Sequence, residues 1–192
     1  MLRDVPPIWF LRHGETEWNL EKRIQGRRDS PLTARGVEQA HAQARLMSGI
    51  IPEVLSAGGG LFVSPQGRAQ ATARIALAGH SFATDARLSE IDTGDWEGQL
   101  RSEVVGGQDG LAAYAAAPGG EGFDGLSARV TEFLSELRAP AVIVSHGILG
   151  QVLRGLICGL GPDEMARLSN HQGCAYLLKE GGETLLREEA KA

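Results

Sequence analysis

The stretch IWFLRHGET, residues 8–16, decides the fold class of this chain. It begins with four apolar residues, two of them aromatic, and a glycine follows soon after, which favours a short buried strand over a helix. Arg12 and His13 then lie at the carboxyl end of that strand. In open α/β sheets, ligands bind in the crevice at the carboxyl ends of the strands. The stretch therefore predicts an α/β protein whose first strand delivers an arginine and a histidine to a binding site.

Two further stretches repeat this arrangement. Residues 141–145, AVIVS, form another apolar and β-branched run, and His146 follows it directly. The run LFV, residues 61–63, leads through a Ser-Pro dipeptide into a helical pattern with Arg68 in its first turn. If these three strands are parallel neighbours, both histidines and both arginines meet in one crevice, beside the positive end of a helix. The pattern thus predicts a phosphate-binding pocket.

The remaining chain alternates between helical and strand patterns. We expect a three-layer α/β/α sandwich with a mostly parallel central sheet, in one domain that spans residues 1–192. The expected helices cover residues 33–48, 68–78, 127–137 and 149–157, and the expected additional strands cover residues 82–84, 175–178 and 184–186, the last two as a hairpin.

His13 is the candidate nucleophile. A neutral imidazole can displace an alcohol from phosphorus, and the phosphohistidine formed is then open to attack by water, so that one difficult hydrolysis becomes two easier steps. The guanidinium groups of Arg12 and Arg68 would keep the imidazole neutral by like-charge repulsion. They also offer planar pairs of donors to the phosphoryl oxygens. His146 would complete this cradle as a further donor.

Several separate motifs in one fixed order carry a family resemblance. They are LRHGETEWN (11–19), RIQG (23–26), DSPLTARG (29–36), SP with RA (64–69), LSEI with GDWEG (88–98) and VSHG (144–147). Together they identify the chain as similar to the histidine phosphatase superfamily, also called the phosphoglycerate mutase-like family. Thr93 and Gly122 depart from the usual pattern of that family.

The resemblance implies roles for further residues. Glu90 would be the general acid that protonates the leaving alkoxide and later activates water. Asn19, Gln25 and Gly26 would contact the phosphate, together with the arginines and His146. Residues 99–125, which we call the cover segment, would lie over the pocket and set the choice of substrate.

The sequence lacks the motifs that mark nucleotide-phosphate loops and metal sites. The sequence has no Gly-x-x-x-x-Gly-Lys-Ser/Thr loop, no His-Glu-x-x-His and no acidic cluster with recognisable metal spacing, so we expect neither a metal nor a cofactor. Cys158 and Cys174 form no Cys-x-x-Cys motif and read as small hydrophobic residues of a reducing cytosol. A net charge of −5 argues against nucleic acids and anionic membranes, and no apolar run is long enough to span a bilayer. The expected partner is a small phosphorylated metabolite in the cytoplasm.

The cover segment favours a phosphatase over a mutase. Between Gly94 and Ala128 the sequence has one basic residue, Arg101, among six acidic ones, and such a cover would not favour a bisphosphate. Arg27 and Arg28 are the counter-evidence, because they could bind a second anionic group, although they fit equally well as solvated loop charges or as partners of Asp29. A mutase and a non-catalytic phosphate or phosphohistidine-binding regulator therefore stay as alternatives. His171 is a further candidate for substrate contact, outside the catalytic set.

Overall fold

A computed structural model describes residues 5–106 and 110–188. These residues form a mixed sheet of six strands in the order β3-β2-β4-β1-β5-β6. The strands are β1 (Ile8–Arg12), β2 (Gly60–Val63), β3 (Ala83–Thr84), β4 (Ala141–Ser145), β5 (Ala175–Lys179) and β6 (Gly182–Leu186). The first four strands run parallel, and β5 and β6 form the antiparallel hairpin predicted from the sequence. The three strands that carry the candidate residues, β2, β4 and β1, are direct neighbours, as predicted.

Helices cover the sheet on both sides. They are α1 (Glu17–Leu20), α2 (Ala34–Met47), α3 (Ile50–Ser56), α4 (Gly67–Ala76), α5 (Arg101–Val104), α6 (Leu111–Ala115), α7 (Gly122–Glu136), α8 (Gly147–Cys158) and α9 (Pro162–Met165). No helix within the described ranges is both long and apolar enough to cross a membrane.

The central strand β4 separates two hydrophobic cores. All five of its residues are buried, and successive side chains point to opposite faces of the sheet. Ala141 and Ile143 pack into the core beneath α7 and α8, whereas Val142 and Val144 pack into the core beneath α2, α3 and α4. A strand that is buried on both faces explains the continuous apolar run in the sequence. The three-layer architecture is confirmed.

The structure differs from the sequence-based expectation mainly in the start of one long helix and in five short helices that were not predicted, α1, α3, α5, α6 and α9. The third long helix begins at Gly122 rather than at Ser127, because Phe123 and Leu126 pack into the core and outweigh the poor helix propensity of two glycines. Of these short helices, α3 contains Pro52, a residue type that usually breaks helices. Proline is tolerated there because the residue lies in the first turn, where its missing N–H has no partner within the helix.

Candidate active site

The carboxyl ends of β1, β2 and β4 border a cleft of about 310 Å³. Seven of the eight residues predicted for the site line this cleft. They are Arg12, His13, Asn19, Gln25, Gly26, Arg68 and Glu90. The eighth, His146, lies directly beside His13, with 5.2 Å between the ring centroids, but it does not line the cleft itself.

His13 is held as a neutral imidazole of defined tautomer. Its backbone N–H continues the β1–β4 pairing by donating to the Ser145 carbonyl at 2.9 Å. Its Nδ1 lies 2.7 Å from the carbonyl oxygen of Gly14. A carbonyl only accepts, so Nδ1 carries the proton and Nε2 keeps its lone pair. Burial, with the nearby charges of Arg68 and Arg12, lowers the pKa of His13 well below its usual value.

Arg68 is fixed in the first turn of α4 by the loop that follows α1. Its Nη1 donates to the Arg28 carbonyl at 2.5 Å and to Asp29 Oδ1 at 3.0 Å, and its Nη2 donates to the Gly26 carbonyl at 2.9 Å. The Asp29 carboxylate also accepts the backbone N–H groups of Gly67 and Arg68. Burial lowers the pKa of Arg68, while the charges of Glu90 and Asp29 oppose that shift. The guanidinium is therefore a rigid part of the wall.

Arg12 is anchored from the opposite side of the cleft. Its Nη1 donates to the carbonyl of Asn170 at 2.5 Å, and its own carbonyl accepts from Gln43 Nε2 at 2.8 Å. Gln172 contacts the chain directly after Arg12, because its Nε2 donates to the carbonyl of His13 at 3.0 Å. The segment between α9 and β5 thus sets the position of the first arginine.

His146 occupies the N-cap position of α8 and is fully buried. Its Nε2 lies 2.7 Å from Ser64 Oγ, at the end of β2. Burial, followed by the charge of Arg68, lowers the pKa of His146 well below its usual value. The ring is therefore neutral and lies behind the nucleophile.

Glu90 faces the cleft from the segment that follows the 3₁₀ turn Ala86–Leu88. Its Oε1 accepts the backbone N–H groups of Ile91 at 3.0 Å and Leu149 at 2.8 Å, and its Oε2 accepts that of Ile148 at 3.1 Å. Two of these donors belong to the first turn of α8, where N–H groups have no partner within the helix. The helix that begins after His146 therefore orients the Glu90 carboxylate.

The other predicted phosphate contacts lie on the rim of the cleft. Asn19 uses its Oδ1 to cap α1, where it accepts the Thr16 N–H at 3.1 Å, so its amide NH₂ group is the remaining polar group. Gln25 is largely buried and lies 3.4 Å from the Ser30 hydroxyl. Gly26 adopts a positive φ of 51°, and its carbonyl accepts the hydrogen bond from Arg68 Nη2. A side chain at position 26 would collide with Glu97 and Thr93.

The sequence left open whether Arg27, Arg28 and His171 reach the substrate. Arg27 contacts Glu121 at 3.4 Å and Arg28 lies 3.8 Å from Glu97, and neither arginine lines the cleft; nor does His171. The cleft is also lined by residues that were not among the predicted site residues, namely Arg23, Ile24, Ile91, Thr93, Arg101, Gly110, Tyr114, Gly147, Ile148, Gln151 and Asn170. Arg23, Ile24, Ile91 and Gly147 belong to the family motifs, whereas no motif marks Arg101, Gly110 and Tyr114 of the cover segment. Asp109 of the cover segment lies outside the described residues.

Three buried nitrogen atoms around His13 lack a hydrogen-bond partner among the described residues. They are Arg12 Nε, Arg68 Nε and His146 Nδ1. Buried polar groups are nearly always paired, so unpaired groups that surround a cleft point to a role in ligand binding. An anion with several oxygen atoms in the cleft would accept from the two arginine Nε–H groups. In the described ranges, no group of three or more His, Cys, Asp or Glu side chains is arranged to hold a metal ion.

Comparisons with known proteins found similar sequences and similar overall structures. A protein of Enterobacter sp. (strain 638) named "Probable phosphoglycerate mutase GpmB" is 37% identical, over 80% of this chain and 75% of its own length. The alpha-ribazole phosphatase of Shigella flexneri is 28% identical and superimposes with a TM-score of 0.76, covering 95% of this chain and 96% of its own. YhfR of Bacillus stearothermophilus is 27% identical with a TM-score of 0.77, at the same coverage.

The family profile described as "Histidine phosphatase superfamily (branch 1)" matches residues 8–188, which include every predicted site residue. The chain therefore belongs to the histidine phosphatase superfamily and is an enzyme of that family.

Proposed function

We propose that this protein is a metal-independent phosphomonoester hydrolase that acts on a small phosphorylated metabolite through a phosphohistidine at His13. One observation carries this proposal. The His13 ring is neutral, and its Nδ1–H donates a hydrogen bond to the Gly14 carbonyl. The lone pair on Nε2 is therefore available to attack phosphorus.

In the first step, His13 Nε2 forms a bond to phosphorus and the bond from phosphorus to the substrate oxygen breaks. Arg12 and Arg68 stabilise the charge on the phosphoryl oxygens, and their unpaired Nε atoms are available for this role. Glu90 enters this step in its protonated form and delivers the proton to the departing alkoxide, which leaves as an alcohol.

In the second step, water attacks the phosphohistidine. Glu90, now a carboxylate, accepts a proton from that water, the bond between nitrogen and phosphorus breaks, and inorganic phosphate leaves. His13 returns to its neutral form, and Glu90 regains its proton, so both groups are ready for the next substrate.

The choice of hydrolysis over isomerisation is supported by the mouth of the cleft. A mutase must retain a bisphosphorylated intermediate, which calls for a second cluster of cations. Arg27 and Arg28 are paired with carboxylates and do not line the cleft, and the cover segment has more acidic than basic residues. Arg23 and Arg101 do line the cleft and are the cations that favour a mutase instead. The identity to a mutase-named relative keeps phosphoglycerate mutase activity as the second candidate.

A hydrolysis screen with EDTA present tests the proposal. Because one of the similar structures is an alpha-ribazole phosphatase, α-ribazole 5′-phosphate belongs in the screen beside 2- and 3-phosphoglycerate. We expect release of inorganic phosphate, and we expect mass spectrometry to detect phosphate on His13 when the protein is digested without exposure to acid. Both signals should be lost in His13→Ala.

Two results would overturn the proposal. Isomerisation of phosphoglycerate faster than its hydrolysis, in the presence of the bisphosphate primer, would favour the mutase. Turnover that is retained in His13→Ala, or abolished by EDTA, would exclude the proposed mechanism.

A further inference from the structure

Gln66 lies between the two halves of the candidate site. It is the N-cap residue of α4, two positions before Arg68, and its side chain is almost fully buried. No sequence motif assigned a role to this position. Its carboxamide nevertheless contacts backbone groups on both sides of the cleft.

One end of the carboxamide holds the acid. Gln66 Oε1 accepts the backbone N–H of Glu90 at 2.6 Å and faces the Ser64 hydroxyl at 3.4 Å. Ser64 is in turn the partner of His146. The short bond to Glu90 fixes the main chain from which the carboxylate extends toward α8.

The other end of the carboxamide holds the phosphate cradle. Gln66 Nε2 donates to the Gly26 carbonyl at 2.7 Å, and the same carbonyl accepts from Arg68 Nη2 at 2.9 Å. The orientation of the amide is determined by these partners, because its oxygen must meet an N–H group and its nitrogen must meet a carbonyl. A single planar group therefore links the backbone of Glu90 to the loop that fixes Arg68.

We propose that Gln66 is a positioning residue for proton transfer, acting through Glu90 rather than through the phosphate. An acid must lie within hydrogen-bond reach of the leaving oxygen, and a displacement of about 1 Å can cost about a hundredfold in rate. Removing the acceptor leaves the buried Glu90 N–H without a partner, and the main chain must shift to find one. This inference depends on the proposed function, since it assigns Glu90 the role of acid.

The dependence of the rate on the leaving group distinguishes an effect on proton transfer by Glu90 from an effect on phosphate binding. An alkyl phosphate needs a proton on its leaving oxygen, whereas 2,4-dinitrophenyl phosphate releases a phenolate that needs none. For the isosteric variant Gln66→Met, we expect the ratio of kcat/KM for the alkyl ester to kcat/KM for the dinitrophenyl ester to fall at least about tenfold. Glu90→Gln is the reference and should lower the same ratio further.

Two matched variants complete the design. Gln66→Glu keeps an acceptor for the Glu90 N–H but loses the donor to Gly26, so its ratio should stay near that of the wild type. Gln43→Met removes another buried glutamine, one that holds the Arg12 carbonyl, and should lower both rates by a similar factor. If Gln66→Met does not fold, Gln66→Ala replaces it under the same criterion.

The outcomes distinguish this inference from the proposed function. Equal losses on both esters in Gln66→Met, or a ratio in Gln66→Glu that falls as far as in Gln66→Met, would overturn the inference while leaving the function intact. If Glu90→Gln itself does not change the ratio, the proposed acid is wrong and the inference fails with it.

Discussion

The neutral state of the two buried histidines predicts that the protein loses stability as the pH falls below the ordinary range of histidine. Burial and the neighbouring arginines lower the pKa values of His13 and His146 in the folded protein. In the unfolded chain both rings titrate near pH 6.5. Below that pH the unfolded chain binds protons that the folded protein does not, so the free energy of unfolding decreases as the pH decreases.

The size of the effect follows from this linkage. If neither ring is protonated in the folded protein, lowering the pH from about 7 to about 5.5 costs about 1.3 kcal/mol for each histidine, and about 2.5 kcal/mol for both. Carboxylates with ordinary pKa values stay largely ionised over this interval, so the histidines dominate the change.

Urea denaturation at both pH values, in phosphate-free buffer, measures this difference. Phosphate must be absent because an anion in the cleft would favour protonation of the rings. We expect His13→Asn and His146→Asn each to remove about half of the pH-dependent loss seen in the wild type. If both variants lose as much stability as the wild type, the histidines are not held neutral and the account of the nucleophile is wrong.

Three further predictions concern Arg68, its carboxylate partner Asp29, and the close contact that Gly36 makes with the backbone of Glu15. Arg68→Lys should lower kcat/KM by about a hundredfold and weaken competitive inhibition by vanadate, because an ammonium group cannot reproduce the planar donor set; an unchanged inhibition constant would contradict this. Asp29→Asn should lower kcat/KM by about tenfold, because a neutral amide replaces a carboxylate that accepts three N–H donors; kinetics that match the wild type would show that Arg68 needs no such support. Gly36→Ala should lower the free energy of unfolding by about 1–3 kcal/mol, because its methyl group would collide with the Glu15 carbonyl; chemical denaturation measures the loss, and an unchanged midpoint would refute the close packing.

The sequence predicted the sheet and the residues that meet at its edge because both depend on local patterns. A buried parallel strand appears as an apolar run, and its carboxyl end marks the crevice, so the amino-acid pattern alone places Arg12, His13, Arg68 and His146 together. The position of Glu90 came from the family resemblance, since nothing in its local sequence marks it.

The supporting contacts could not be predicted in the same way. Asp29 reaches Arg68 across 39 positions of the chain, and Ser64 reaches His146 across 82. Such contacts depend on how loops pack, and a polar residue in a loop is most often solvated. The sequence left the roles of Arg27 and Arg28 open for the same reason, because their carboxylate partners come from distant parts of the chain.

The register between β1 and β4 has a consequence for how this enzyme can change. Arg12 lies opposite Ser145, and His13 and His146 follow one position later on neighbouring strands that are about 4.8 Å apart. Adding or deleting one residue within either strand would turn the following side chains to the opposite face of the sheet and separate the two histidines. The turns of the cover segment that precede α7, by contrast, lie between short helices, and surface turns tolerate changes in length. Libraries that aim at a new substrate should therefore vary those turns and leave both the two strand ends and the start of α7 untouched.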